Sequence, residues 1–256
     1  MRSERLSLDS LTGTDPGTVL CEELLPGEIE GVRTELVSIK GPHRTREPAD
    51  ADACTVLIGL AGGGTVAAGG AVFDLVAESI ARLPYAEEYE IDVAEGEEIR
   101  LLRIVKALDA TDKAVVADRP ECAAPDGKRF ADCPTYLESI KSAKTINRTL
   151  LREGIIPRFC LGSVETTGPD AVASHKHPML EQLFLGLRDC RCTVFADGAS
   201  ALLTGNTLLH VPLGSNHSVT VAEGDTLYYL WFDFFLELAG ESWITDQHII
   251  DERNGQ

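Results

Sequence analysis

Ser174-His175-Lys176-His177-Pro178-Met179-Leu180-Glu181, followed by Pro212-Leu213-Gly214-Ser215-Asn216-His217, is the stretch that decides how the chain reads. On an extended strand successive side chains alternate faces. His175, His177 and, if the strand runs on, Glu181 therefore share one face. The Pro-x-Gly turn re-aims the chain and delivers His217 as a third imidazole at the start of the next strand. Three neutral nitrogens and one carboxylate oxygen suit a divalent first-row metal, and an octahedral ion would keep about two positions open for water or substrate. A site of that kind serves chemistry and not folding.

These residues resemble the cupin superfamily, whose two motifs run roughly Gly-x5-His-x-His-x3-4-Glu-x6-Gly and Gly-x5-Pro-x-Gly-x2-His-x3-Asn. Gly168 precedes His175 by one residue more than the pattern, Gly186 follows Glu181 early, Gly205 precedes Pro212 by one residue too many, and Val221 stands where the second motif has Asn. The departures fall on turn glycines and one accessory position. The four ligand positions, His175, His177, Glu181 and His217, all match.

A second signal is an internal repeat. At a shift of 127 residues Gly41-Pro42 falls on Gly168-Pro169 and Ile58-Gly59-Leu60 on Leu185-Gly186-Leu187. At a shift of 128, Pro84 to Tyr89 overlies Pro212 to His217, and Val93-Ala94-Glu95-Gly96 overlies Val221-Ala222-Glu223-Gly224. Where the second copy carries its four ligands, the first has Pro48, Asp50, Cys54 and Tyr89. The first copy is therefore expected to hold no metal. The resemblance then implies an all-β chain of two tandem cupin-type jelly-roll β-barrels with a short helical connector. The expected division is a degenerate N-terminal domain over 1–115, a connector over 116–150 and a metal-binding C-terminal domain over 151–256.

Short apolar runs bounded by Gly, Pro, Asp or Asn agree with an all-β body; Val32 to Ile39, Cys54 to Leu60, Ile99 to Val105, Phe159 to Val164 and Thr207 to Val211 are examples. Gly62-Gly63-Gly64 lacks the Lys and Ser/Thr of a phosphate loop and reads as a hairpin turn. Ala71 to Leu83 has a mixed helical look, and Tyr136 to Leu151 has apolar residues at helical spacing, which predicts the connector helix. Tyr228 to Phe235 is an aromatic run in a strand position with both faces apolar, so both faces should be covered.

The chain has 256 residues, 44% hydrophobic and 25% charged, with a net charge of −18. That charge would repel nucleic acid and anionic membrane, and a small-molecule substrate is the expected partner. No membrane-length apolar run and no signal-peptide core is present, and seven scattered Cys read as reduced thiols, so a cytoplasmic location is expected. Cys190-Arg191-Cys192 reads as two strand residues on one face. The cupin resemblance implies a homodimer.

A single divalent ion per chain (Zn, Mn, Ni or Fe) on this ligand set would polarise a carbonyl and stabilise an enediolate, the common need of isomerisation, β-elimination and decarboxylation. On iron the same open positions would serve a dioxygenase. A non-catalytic cupin that binds a sugar or acid is the third possibility. Resemblance to the sugar-acid isomerases among bicupins favours an isomerase or lyase acting on a small sugar-acid or keto-sugar. By proximity in sequence Glu165 and Tyr228 are the candidate proton-transfer groups, with His210 behind them, and Arg158 is the candidate clamp for a substrate carboxylate. Lys176 points away from His175 and His177 by alternation.

Overall fold

The computed structural model describes residues 1–83, 85, 87–177, 179–242 and 249–253, with Pro120 and 249–253 described by backbone alone. It divides into two compact units, Ser7–Asp132 and Cys133–Gln256, the latter including Met1–Leu6. The first residues join the C-terminal unit because strand Arg2–Arg5 pairs antiparallel with strand Thr207–Val211. That division lies at 132/133, whereas the sequence suggests 115 and 151.

In the C-terminal unit consecutive strands leave one sheet for another, and this produces the jelly roll. Phe159–Thr167, Leu180–Gly186, Thr207–Val211 and Thr226–Phe235 lie in an eight-stranded sheet. Asp170–Lys176, Arg191–Ala196, Ala199–Thr204 and Asn216–Val221 form a four-stranded one. The alternation of Asn216–Val221 explains its placement: His217, Val219 and Val221 are buried while the residues between them are not. The apolar core draws from both sheets, with Val164, Phe184, Leu209 and Tyr229 from the larger and Val194 and Val219 from the smaller.

The aromatic run lies where the sequence suggests, in strand Thr226–Phe235 between Phe159–Thr167 and Leu180–Gly186, and eight of its ten residues are buried. Gly162 stands opposite Trp231 in this ladder. A Cβ there would lie 2.5 Å from the indole Cζ2, so the missing side chain seats the ring.

The Ser7–Asp132 unit repeats the scheme. Val32–Lys40, Ala53–Ala68, Ser79–Arg82 and Glu98–Ala107 share one sheet, while His43–Glu47 and Tyr89–Val93 pair with each other. The equivalences are specific. A Cβ on Gly41 would meet the Ala94 carbonyl oxygen at 1.8 Å, and one on Gly168 would meet that of Ala222 at 1.7 Å. Gly59 abuts Val76 O in the same way as Gly186 abuts Thr204 O. These pairs reproduce the shifts of 127 and 128 read from the sequence.

Three local expectations are corrected. Gly62-Gly63-Gly64 is no hairpin turn but the interior of the long strand Ala53–Ala68, whose first part pairs with Glu98–Ala107 and whose last part pairs with Tyr89–Val93. Gly62 has φ +75° and packs against the backbone of Glu98, so glycine permits the bend by which one strand serves two neighbours. Ala71 to Leu83 forms two strands, Ala71–Val76 and Ser79–Arg82, which pair with the last and first parts of Ala53–Ala68 respectively and are joined by a turn at Glu78, where φ is +61°.

The helix expected over 136–151 is likewise strand: Thr135–Glu138 and Ile146–Ile156 pair with each other, and the latter also pairs with Phe159–Thr167. Register shifts between Thr149 and Leu151 and between Leu151 and Ile156 break its alternation, which is why its apolar residues mimic helical spacing. The α-helices of the region are Ala110–Asp118 and the single turn Pro120–Ala123, and the longer one carries a capped N-terminus. It opens on a capping box in which the Asp109 side chain accepts from Asp112 N at 2.9 Å and the Asp112 side chain accepts from Asp109 N.

Candidate metal centre

A bulge sets the first histidine. Strand Asp170–Lys176 pairs Val172 with Val219 and His175 with His217, so two residues, Ala173 and Ser174, stand opposite one, Ser218. The extra residue turns Val172 and His175 to the same face despite their opposite parity, and both line one cavity. His175 Nδ1 then donates to Ala173 O at 2.7 Å, within the bulge. His217 Nδ1 donates to Ser215 O at 3.1 Å, back into the Pro-x-Gly turn. A carbonyl oxygen can only accept, so both rings carry the proton on Nδ1 and the lone pair on Nε2.

His177 completes the group. The ligand atoms of His175, His177 and His217 lie within 4.8 Å of one another, and this is the cluster of His, Cys, Asp or Glu found among the described residues. Ring centroids stand 4.8 Å (175–177), 4.2 Å (175–217) and 5.3 Å (177–217) apart. His177 and His217 are buried, and His175 lies towards the opening.

Glu181 is not with them. Its carboxylate meets His210 Nε2 at 2.7 Å on the opposite face of strand Leu180–Gly186. Alternation from His175 to Glu181 would require one continuous strand. The chain instead leaves the four-stranded sheet after Lys176 and enters the eight-stranded sheet at Leu180, so the parity starts afresh. The side chain that this strand turns into the histidine cavity is Gln182, and Phe184 follows it.

The expected catalytic residues also lie elsewhere. Glu165 pairs with Arg148 at 3.0 Å. Tyr228 is covered by the Arg188 guanidinium, 4.7 Å from its ring centroid. Arg158 occupies the turn before strand Phe159–Thr167, and its guanidinium donates to Leu236 O at 3.0 Å. None of the three lines the cavity of the histidines.

What lines it instead arrives from the larger sheet. The cavity encloses about 650 Å³, counting space open to solvent, and three carboxyls reach it: Glu138, Glu153 and Asp233. Lys141 is paired with Glu138. Tyr136, Tyr229 and Trp231 supply aromatic wall. Asp233 and Gln182 are register partners on adjacent strands, and Gln182 Nε2 donates to Asp233 Oδ1 at 2.8 Å.

Burial pushes the Asp233 carboxyl up to about 7, helped by the Glu153 and Glu138 carboxylates and opposed by the Gln182 hydrogen bond and Lys141. Burial likewise pushes the Tyr136 and Tyr229 phenols well above their ordinary range, so both remain neutral hydroxyls. One signal for Asp233 was present in the sequence: an acid inside Trp231-Phe232-Asp233-Phe234 is a polar residue in a run that must be covered.

In the Ser7–Asp132 unit the aligned positions Pro48, Asp50 and Tyr89 line a separate cavity together with Arg33 and Arg103. Burial foremost pushes the Tyr89 phenol up to about 12. The fourth aligned position, Cys54, is buried, and its thiol is also pushed up to about 12 by burial.

No protein-family model and no curated protein matches this chain. Solved structures do. A putative glyoxylate-induced protein from Pseudomonas aeruginosa matches with a TM-score of 0.72 at 13% identity, over 84% of this chain and 80% of that one. A cupin 2 conserved barrel domain protein from Leptotrichia buccalis gives 0.58 at 13%, over 87% and 91%. The oxalate decarboxylase of Lactobacillus farciminis gives 0.61 at 12%, over 91% and 87%. At these identities the likeness is one of fold, and the fold is that of the cupin barrel. No helix among the described residues is long and apolar enough to cross a membrane.

Proposed function

We propose that this chain is a bicupin whose C-terminal unit holds one divalent first-row metal on His175, His177 and His217, and that it acts as an isomerase or lyase on a small polyhydroxylated carbonyl compound. The observation that carries this reading is the convergence of three imidazoles in one cavity, two of them with Nδ1 already donating to backbone. That donor set fits zinc, manganese, nickel or iron, and the backbone bonds fix the tautomer that offers Nε2. A bound ion would supply Lewis-acid polarisation of a carbonyl or hydroxyl oxygen. A study of the Bacillus subtilis oxalate decarboxylase, a protein of the same fold, concerns Mn(II) centres, which supports manganese as one candidate.

The chain's own residues supply the rest. Asp233, with its carboxyl near 7, holds or releases a proton close to neutral pH, and Glu153 lies in the same cavity. These two take the proton-transfer role that sequence proximity gives to Glu165 and Tyr228. Gln182 orients Asp233 through its amide N–H. The neutral hydroxyls of Tyr136 and Tyr229 are hydrogen-bond donors for substrate oxygens.

The first test is elemental analysis of protein purified without added metal. About one zinc, manganese, nickel or iron per chain is expected, and none after reconstitution would sink the reading. A pair of substitutions separates the two faces of one strand. Glu181→Ala leaves His210 without its carboxylate and is expected to lower stability by about 1–3 kcal/mol while metal content stays unchanged. Gln182→Ala, on the cavity face, is expected to weaken metal retention or turnover. The opposite pattern, with metal lost from Glu181→Ala and Gln182→Ala silent, would return Glu181 to the metal.

A further inference from the structure

We propose that the histidine cavity takes a small hydroxylated compound bearing a protonated amine and discriminates against a carboxylate of the same size. The inference rests on the reading of this cavity as the functional site and narrows its substrate class. The carboxyls of Glu138, Glu153 and Asp233 line the cavity, and the cationic side chain among the described lining residues is Lys141. Lys141 is committed to Glu138 in an ion pair whose side chains are 6% and 11% exposed. Lys141 acts on Asp233 only at longer range, Glu153 and Asp233 form no ion pair with a lining residue, and no arginine is among those residues to clamp an anion.

Asp233 points independently to a ligand. It is 3% exposed, and its carboxyl accepts one hydrogen bond, at Oδ1, while Oδ2 has no donor among the described residues. Asp233 lines the cavity and its Oδ2 is not sealed among protein atoms, so that oxygen is open to a ligand, and an ammonium group would supply both the charge and the hydrogen bond. The walls agree: Trp231, Tyr229 and Tyr136 present aromatic rings, the surface on which cations are held. The net charge of −18 draws cations towards the molecule and slows anions. A divalent ion on the histidines would offset charge on Glu153 and Asp233, so the preference for an amine is expected to be strongest in the metal-free protein. Such an ion would take oxygens of the ligand, and the two carboxyls would take its amine.

Three six-carbon polyols that differ at one end test the inference: glucamine carries an amine, sorbitol is neutral and gluconate carries a carboxylate. Calorimetric titration of the protein at pH 7.5 is expected to find glucamine bound most tightly, by about tenfold or more over gluconate. Glu153→Gln and Asp233→Asn should each reduce that preference severalfold. Stripping the metal should widen it, because two positive charges leave the cavity.

Gluconate binding as tightly as glucamine, no binding by any of the three, or a preference unmoved by both substitutions would overturn the inference. Metal content measured on the same samples separates the two readings. Protein that never takes metal but prefers glucamine sinks the metal reading alone, whereas metal-loaded protein that prefers gluconate sinks only the amine.

Discussion

His217→Ala is expected to bring bound metal from about one ion per chain to near zero while the fold survives. His217 is 2% exposed and is paired across the bulge with His175, so its ring is held by two strands and by its Nδ1 bond to Ser215 O. Removing groups that merely orient a ligand already weakens metal binding by about 10–100-fold. Removing one of three nitrogens should exceed that and leave a two-histidine site that loses its ion on desalting. The fold should tolerate the change. The core beneath is a two-sheet packing of Val194, Leu209, Val219 and Phe184, against which the ring makes an edge contact, 6.0 Å from Phe184 between centroids. A loss of about 1–3 kcal/mol is the expected scale for the vacated space. Elemental analysis, with circular dichroism and a thermal melt on the same sample, reads both quantities. Full metal in a folded variant would remove His217 from the site. In the parent protein the ion should also leave on acidification, because imidazole must be neutral to bind metal.

The histidines were legible because everything that gathers them is local: a His-x-His pair on one strand and a Pro-x-Gly turn that starts the next. The repeat was legible for a similar reason. Gly41 and Gly168 are kept side-chain-free by the same backbone approach, from Ala94 and Ala222, so the two copies show the same punctuation. Glu181 was misread because alternation holds only within a strand, and Lys176 ends a strand of one sheet while Leu180 begins a strand of another. Reading on in one parity selected the residue facing His210 and passed over Gln182, its neighbour.

Glu138 and Glu153 come from consecutive paired strands, whereas Asp233 comes from a strand much later in the chain, and the sheet order brings it to the same cavity. The helix was misplaced for a different reason. Ile146–Ile156 carries register shifts that disguise a strand, while the true helix, Ala110–Asp118, announces itself by a capping box and not by an apolar stripe.

Asp233→Asn is expected to stabilise the metal-free protein at pH 8 and to do little at pH 4. In the folded chain the Asp233 carboxyl titrates at about 7, and burial is the first cause. In an unfolded chain an aspartate titrates near 3.9. Below about pH 4 both states hold the proton and stability is at its full value. Between about pH 4 and 7 the folded chain keeps a proton that the unfolded chain has released, so stability falls as pH rises and the loss is complete above the folded value. A difference of about three units corresponds to roughly 4 kcal/mol as an upper scale. Asparagine keeps an oxygen to accept from Gln182 Nε2 and removes the charge, so a gain of about 2–4 kcal/mol at pH 8 is expected, shrinking towards zero near pH 4. Urea denaturation of chelator-treated protein at several pH values measures it. A variant no more stable than the parent at pH 8, or a gain independent of pH, would show that Asp233 does not carry the strain of a buried charge. A divalent ion on the histidines would favour the ionised carboxyl and draw its titration downward, so adding metal should narrow the gap between parent and variant. If the gap is indifferent to metal, Asp233 and the histidines are not electrostatically coupled, and the proton-transfer role proposed for Asp233 falls with that coupling.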